Sequence, residues 1–393
     1  KDKYRVAVLL PLMAESLSTS KGSKGNQFVL DLYQGIKIAI EELNANGQKI
    51  ELFSYDTDRD SLKTTKIIES GELLEMDMII GPLYPIPASL VRDYSYKHKI
   101  NMVNPLSTNS ETIAANPYSF LMKSTAETRA KTAAKYAIEN MESKNATIFY
   151  GSKSQDSVFA YTYKRMLEAD SFNITWMAAS RSAVASTEIL RSLTEVYDDD
   201  TTYTGGKVYI SNTVKVKVGD GDSLIMTRDT IGHILVASSD NLLVSNVLSA
   251  LDTRRDSIPI IGYDEWLDFN QISFDQLQRM GVVMIGQNYF DFSSSDVAKF
   301  KENYRKKFNK LPSQYSYDGY ETMWFFGTQL IEFGNYFQYG LYNEGFQNGH
   351  LYFGFDYTNA NDNQVVPIMK MQDLELKMLN FEQVEEKPSV FTD

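Results

Sequence analysis

Two places in the chain hold residue types that could bind or transform a small molecule. The first is the polar turn 104–110, with Leu106, Ser107 and Thr108 at its centre and Glu111 three residues beyond Thr108. Thr-x-x-Glu is the pattern of a capping box, in which side-chain oxygens satisfy the first N–H groups of a helix. A helix starting at Thr108 would turn free N–H groups and the hydroxyls of Ser107 and Thr108 toward an anion, naturally a carboxylate. The same hydroxyls are equally well accounted for as caps alone. The second place is the adjacent pair Asp264-Glu265, which could do acid/base work. Acids side by side are also ordinary surface residues.

Other chemistries are incomplete or missing. Asp56-Thr57-Asp58-Arg59-Asp60-Ser61 opens like a calcium loop, but its sixth position is Ser61 rather than glycine and its twelfth is Ile67 rather than glutamate. A strand end followed by a helix N-cap accounts for it. Three histidines (His98, His233 and His350) are scattered and cysteine is absent, which leaves no Cys/His zinc site and no thiol nucleophile. Neither a GxxxxGK(S/T) phosphate loop nor HExxH or GxSxG is present, and Gly151-Ser152-Lys153-Ser154 lacks the second glycine of the last. The sequence therefore reads as a non-enzyme without metal or cofactor. A net charge of −12 opposes contact with nucleic-acid phosphates. No stretch reaches the roughly 18 consecutive apolar residues of a membrane helix.

The elements that position these residues follow from periodicity. Residues 4–10 and 50–55 read as strands around an amphipathic helix with Val29, Leu32, Ile36, Ile40 and Leu43 at spacings of three and four. The loop 14–25 before that helix is rich in Ser, Lys and Gly. Residues 78–80 and 101–103 are two further short strands, joined by a helix into a right-handed βαβ unit. Parallel sheets bind small molecules outside the carboxyl ends of their strands, so 81–85 and 104–110 form one rim, the candidate site.

A second alternating series follows: helix 126–141, strand 146–150, helix 157–170, strand 172–177, helix 186–196, and strand 231–237 with Ser238-Ser239-Asp240 as N-cap. A helix to residue 251 and a strand 258–262 complete it. A chain of 393 residues exceeds what one core sustains, so the reading is two α/β doubly wound lobes. Within the second series, 203–230 alternates as an inserted β-hairpin, either packing on its own lobe or offering a docking edge to a partner strand. A strand 282–287, a basic helix 296–310, a helix within 311–333 and an aromatic tail complete the chain. The tail turns strand-like at 365–371 and 374–379.

The order of VAVLLPL, DLYQGIKIAIEELNANG, MDMIIGPL, INMVNPLSTNSET, FLMKSTAETRAKTAAKYAIE and PSQYSYDGYETMWFFGTQLIE resembles the type I periplasmic binding proteins. Among them it is most similar to the branched-chain amino acid receptors of ABC transporters. The likeness spans nearly the whole chain apart from the hairpin and the aromatic tail. It implies two Rossmann-like lobes with a central ligand cleft and three hinge crossovers, near Lys123, Asn288 and Tyr339. Lobe 1 would then be 1–122 plus 290–338, and lobe 2 would be 123–289 plus 339–393. The resemblance places a ligand carboxylate on Leu106, Ser107 and Thr108, and its ammonium on Asp264 in IIGYDEW. Gln155 or Asp156 falls near the position of the family's second-lobe aromatic, and Ser239 is a further candidate contact. Tyr84, with Pro85, Ile86 and Pro87, replaces the usual small hydroxyl residue and would stack on the ligand or fill the cleft.

The function implied is reversible capture of a small polar molecule, an amino acid or similar carboxylate, in the periplasm or cell envelope. The partner would be an inner-membrane permease, and the protein a monomer or weak dimer with a signal or lipoprotein anchor expected ahead of Lys1. VAVLLPL and the altered loop also resemble the binding-protein-like module of outer-membrane lipoproteins that activate peptidoglycan synthases. That resemblance implies the alternative, a ligand-free envelope protein that regulates or interacts.

Overall fold

The computed structural model describes residues 3–14, 26–45, 47, 49–179, 186, 189–190, 193, 213–218, 221–226, 228–254, 257–290, 292 and 294–381. The backbone forms two compact units, each made of two stretches of chain: Lys1–Thr125 with Asn288–Val365, and Ala126–Gln287 with Val366–Asp393.

The first unit opens with β1 (Tyr4–Leu10), α1 (Gln27–Ala45), β2 (Ile50–Asp56), α2 (Ser61–Glu69), β3 (Met78–Ile80), α3 (Pro85–His98), β4 (Asn101–Asn104) and β5 (Ser119–Leu121). Its sheet has the order β2-β1-β3-β4-β5 and is parallel throughout. Alternate residues serve opposite faces, as a strand requires. Val6, Val8, Leu10, Met78, Ile80 and Val103 join one core, while Ala7, Leu9, Ile79 and Met102 join another with Val91 and Tyr94 of α3. The near-continuous apolar strands are what a parallel sheet covered on both faces demands. Asp60 caps α2 by accepting the Leu62 N–H at 2.8 Å, the N-cap reading of the acidic run.

In the second unit come α4 (Ala126–Asn140), β6 (Asn145–Tyr150), α5 (Ser154–Ala169), β7 (Asn173–Ala179), the hairpin strands β8 (Thr213–Val218) and β9 (Gly221–Met226), β10 (His233–Ala237), α6 (Asn241–Arg254), β11 (Ile260–Tyr263) and β12 (Val283–Ile285). The chain's last described strands, β13 (Ile368–Gln372) and β14 (Glu375–Met378), add antiparallel to the edge at β12, giving the order β14-β13-β12-β11-β10-β6-β7. Strands β8 and β9 pair antiparallel as a two-stranded sheet of their own. Most of the expected loop 14–25, most of helix 186–196 and the remainder of 203–227 lie outside the described residues. The expected strand 231–237 starts two residues late, at His233, because Ile231 closes a short helix, Arg228–Ile231.

The chain then returns to the first unit as α7 (Ser295–Phe308), α8 (Gln314–Phe333) and α9 (Gln338–Glu344). Helices α1 and α8 touch backbone to backbone. A Cβ at Gly35 would lie 2.0 Å from the Ser316 carbonyl oxygen, and one at Gly319 would lie 2.0 Å from that of Leu32. The aromatic stretch after α9, expected in the second lobe, belongs to the first. Leu351, Tyr352, Phe355 and Tyr357 are buried there. Phe355 lies 4.3 Å from Phe325 and Tyr357 lies 5.9 Å from Phe120, between ring centroids. The buried Glu321 carboxylate holds the stretch by accepting the His350 and Leu351 N–H groups at 2.7 Å each. Burial of these rings moves the third crossover from near Tyr339 to Val365/Val366. Among the described residues no helix is long and apolar enough to cross a membrane.

Candidate functional site

The carboxyl ends of β6, β10, β11 and β12 gather the charged residues of the second unit. Arg129, on α4, is buried, and its Nη2 donates to the Ile285 carbonyl at 2.6 Å. The same nitrogen faces Asp264 Oδ1 at 3.4 Å and Glu265 Oε2 at 3.5 Å. Its guanidinium carbon stands 4.6 Å from the centre of the Tyr263 ring. Asp264 Oδ2 accepts the Gln287 N–H at 3.1 Å, so this acid ties the end of β11 to the residues after β12. On the neighbouring loops, Lys153 donates to the Ser239 hydroxyl at 2.7 Å. The Trp266 indole donates to the Ser238 carbonyl at 2.8 Å. Asp156 and Ser238 close over Gly151, where a Cβ would lie 2.3 Å from the Asp156 Oδ2 and 2.6 Å from the Ser238 Oγ. Only glycine allows that approach.

Three carboxyl groups around one guanidinium set the electrostatics. Burial, and then the charge of Glu265, push Asp264 up to about 7 against the pull of Arg129. Asp156 rises to about 6, mainly because it is buried. For Glu265, burial works upward, but Arg129 holds it below the usual carboxylate range. Two polar atoms here have no partner although buried, Arg129 Nε and Gln155 Oε1. Buried polar atoms are ordinarily satisfied, so each of these two leaves a hydrogen bond unmade. Three expected residues, Gln155, Ser239 and Asp264, thus sit at the strand ends of one sheet.

In the first unit the corresponding strand ends are closed on themselves. Buried Asn104, at the end of β4, accepts the N–H groups of Leu106 at 3.1 Å and Ser107 at 2.8 Å, and donates to the Pro82 carbonyl at 2.7 Å. The expected capping box at Thr108 does not form. Asn109 accepts the Glu111 N–H at 3.0 Å and heads only a three-residue 3₁₀ turn, Ser110–Thr112. An asparagine two residues ahead offers the backbone an Asx turn, which competes with a longer helix. Ser107 is spent within the turn, accepting from Asn109 N–H at 3.2 Å and pairing with the Thr112 hydroxyl at 3.1 Å. The half-buried Thr108 hydroxyl takes no part in these bonds. Tyr84 caps the start of α3, with its ring 5.0 Å from the Arg59 guanidinium carbon.

A family model described as periplasmic binding protein matches residues 17–188. No curated protein matches the chain by sequence. A putative branched-chain amino acid ABC transporter from Rhodospirillum rubrum superposes with a TM-score of 0.67 at 11% identity, covering 96% of this chain and 100% of that one. The fold is that of the type I periplasmic binding proteins. An ABC transporter substrate-binding protein from Desulfitobacterium hafniense, in complex with Leu, superposes with a TM-score of 0.60 at 15% identity, covering 96% of this chain and 100% of that one. A solute-binding protein from R. palustris, in complex with benzoate, gives 0.57 at 10%, covering 96% and 95%.

Within this periplasmic-binding-protein fold, the residues to which sequence reasoning gave no role of their own are Arg129, Lys153 and Asn104; Glu265 entered only as the acid/base neighbour of Asp264, and Asp156 only beside Gln155 at the family's aromatic position. Arg129 did leave a signal. A cation in the first two turns of a helix opposes the macrodipole, so it calls for acids from elsewhere in the fold. Asn104 left none, because an Asn before Pro reads simply as a turn.

Proposed function

We propose that the chain is an extracytoplasmic solute-binding receptor that captures a small polar ligand, an amino acid or similar carboxylate, and hands it unchanged to a membrane permease. The observation that carries this reading is the Asp156, Asp264 and Glu265 cluster around Arg129, with an unsatisfied donor and acceptor beside it, at the strand ends where such folds bind. The carboxylates offer a seat for a ligand ammonium. Ser239 and Gln155 are the neutral candidates for its remaining polar groups. Leucine and benzoate, named with solved proteins of this fold, share a carboxylate, which supports the ligand class.

Thermal denaturation against amino acids, simple carboxylates, sugars, nucleosides and cell-wall fragments tests the reading. A ligand at 100 times its Kd adds about 2.7 kcal/mol, a rise of a few degrees. Leucine or a related carboxylate is expected to raise the midpoint, and Asp264→Ala to abolish the rise. No shift with any compound would overturn the receptor reading.

One observation favours a second reading, a ligand-free envelope interaction module. Asn104 has already taken the Leu106 and Ser107 N–H groups on which the resemblance seats a carboxylate. Under that reading no solute shifts the midpoint, and the β8–β9 hairpin is the first segment to delete in a search for a protein partner.

A further inference from the structure

Resting on the receptor reading, the inference concerns how the second unit's strand ends respond to pH. Among the described residues, the charged and titratable groups that act on one another here are Arg129 from α4, Asp264 and Glu265 after β11 with the Tyr263 phenol before them, and Lys153 and Asp156 at the start of α5. With all three acids ionised, two cations oppose three anions, and one negative charge is left over in a largely buried place. A protein pays heavily to keep such a charge dry and unpaired. Two things can cancel it: a proton on a carboxylate, or a cation brought by a ligand. They compete for the same charge.

We infer that capture is proton-linked: the cluster of Asp156, Asp264 and Glu265 around Arg129 holds a proton while empty and releases it to solvent when a ligand's cationic group docks beside Glu265. The geometry divides the labour. Asp264, with 19% of its side chain exposed, is the more enclosed of two adjacent acids and shares a hydrogen bond with Glu265; that enclosure and that neighbour, against the pull of Arg129 and the Gln287 N–H, make it the acid that holds the proton. Glu265, with 41% exposed, is the acid that a cation can reach. Arg129 is a positioning residue that spans the two. Burial and the charge of Glu265, which together hold Asp264 near 7, set the window in which the exchange would be seen.

The experiment is calorimetric titration of the whole chain with two probes, L-leucine and benzoate, at pH 6 and pH 8 in buffers of differing ionisation enthalpy. Leucine carries an ammonium and benzoate does not. Leucine is expected to bind about tenfold more weakly at pH 6 than at pH 8, as linkage to one group titrating near 7 requires. Its heat at pH 6 should depend on the buffer, reporting a released proton, whereas benzoate should release none. Asp264→Asn should flatten the leucine profile between pH 6 and 8. Should that variant fail to fold, the buffer series on the wild type decides alone. Leucine binding with equal affinity at both pH values and a buffer-independent heat overturns the inference and leaves the receptor reading intact. Binding of benzoate but not leucine overturns it too, because no cation then docks. If neither probe binds and the wider panel is also silent, the receptor reading falls and takes this inference with it.

Discussion

The two units end their parallel strands in opposite ways. In the first, a neutral amide does the joining: Asn104 satisfies two N–H groups of one loop and a carbonyl of the next. In the second, the joining is ionic and incomplete. Arg129 faces two acids at distances of 3.4 and 3.5 Å, longer than a good hydrogen bond, and its Nε has no partner. A closed hydrogen-bond set fixes a loop and leaves little to offer a ligand. An unsatisfied charged set costs stability until something completes it. The first rim is closed by its own hydrogen bonds, and the second holds the unmade ones on which the proposed capture rests.

The hardest way to break the comparison is Arg129→Met. It keeps the buried stem and removes the cation that Asp264 and Glu265 both face. Removing one partner of a buried pair costs about 3–5 kcal/mol, and the partial exposure of Glu265 sets the expectation at about 3 kcal/mol at pH 8. The sign with pH is fixed by Asp264. Its folded-state value, near 7, lies above its unfolded one, so its contribution is fully present below the unfolded value and is lost as pH rises through about 7. Without Arg129 the preference for the protonated form strengthens, so the deficit should shrink between pH 8 and pH 6. Urea unfolding at the two pH values checks this. An equal deficit at both would mean that Arg129 matters for packing and not for charge.

Asn104→Ala attacks the other side. It strands the Leu106 and Ser107 N–H groups and the Pro82 carbonyl, at about 1–3 kcal/mol for a group left fully buried. Water can reach part of this half-buried turn, so a total near 2 kcal/mol is expected. Asn104→Asp sharpens the test. The carboxylate still accepts both N–H groups but repels the Pro82 carbonyl, so its deficit should fall in acid, where the protonated group donates again. A deficit in Asn104→Asp that does not change with pH would show that the bond to Pro82 contributes little.

What was legible follows the same divide between backbone pattern and side-chain closure. The strands of the first unit could be read because apolar runs such as VAVLL and MII end at Pro or Gly. β5, Ser119–Leu121, is as short as β3 but ends at no Pro or Gly, so nothing marked it as a separate strand. The third crossover was misplaced because 341–357 mixes Tyr, Phe, Gly and Asn without a period, and only its rings' packing against Phe120 and Phe325 assigns it to the first unit. At the sites, Asp264 was singled out through the family resemblance, as the acid that follows the strand IIGY. Its partner Arg129 lies on a helix 135 positions earlier, one cation among several in KSTAETRAKTAAK; its unfavourable place in the first two turns of that helix was a signal, but nothing local named the acids it would meet. The capping box at Thr108 was plausible locally and failed because Asn109 caps a shorter turn.

The smallest effect concerns Thr108, the hydroxyl at the first rim that the turn leaves unused. Thr108→Val keeps its shape and removes only the oxygen. With no internal bond to lose, stability should stay within about 0.5 kcal/mol of wild type. Ser107→Ala makes the contrast, since it deprives the Asn109 N–H of its acceptor and should cost measurably more. If the first rim contributes to capture at all, Thr108→Val should weaken leucine binding by the worth of one hydrogen bond, about 0.5–1.5 kcal/mol, a factor between roughly two and twelve. Affinity unchanged by Thr108→Val but lost in Glu265→Gln would make the division between the rims complete: the first unit's strand ends would be scaffold, and recognition would rest on the acids of the second.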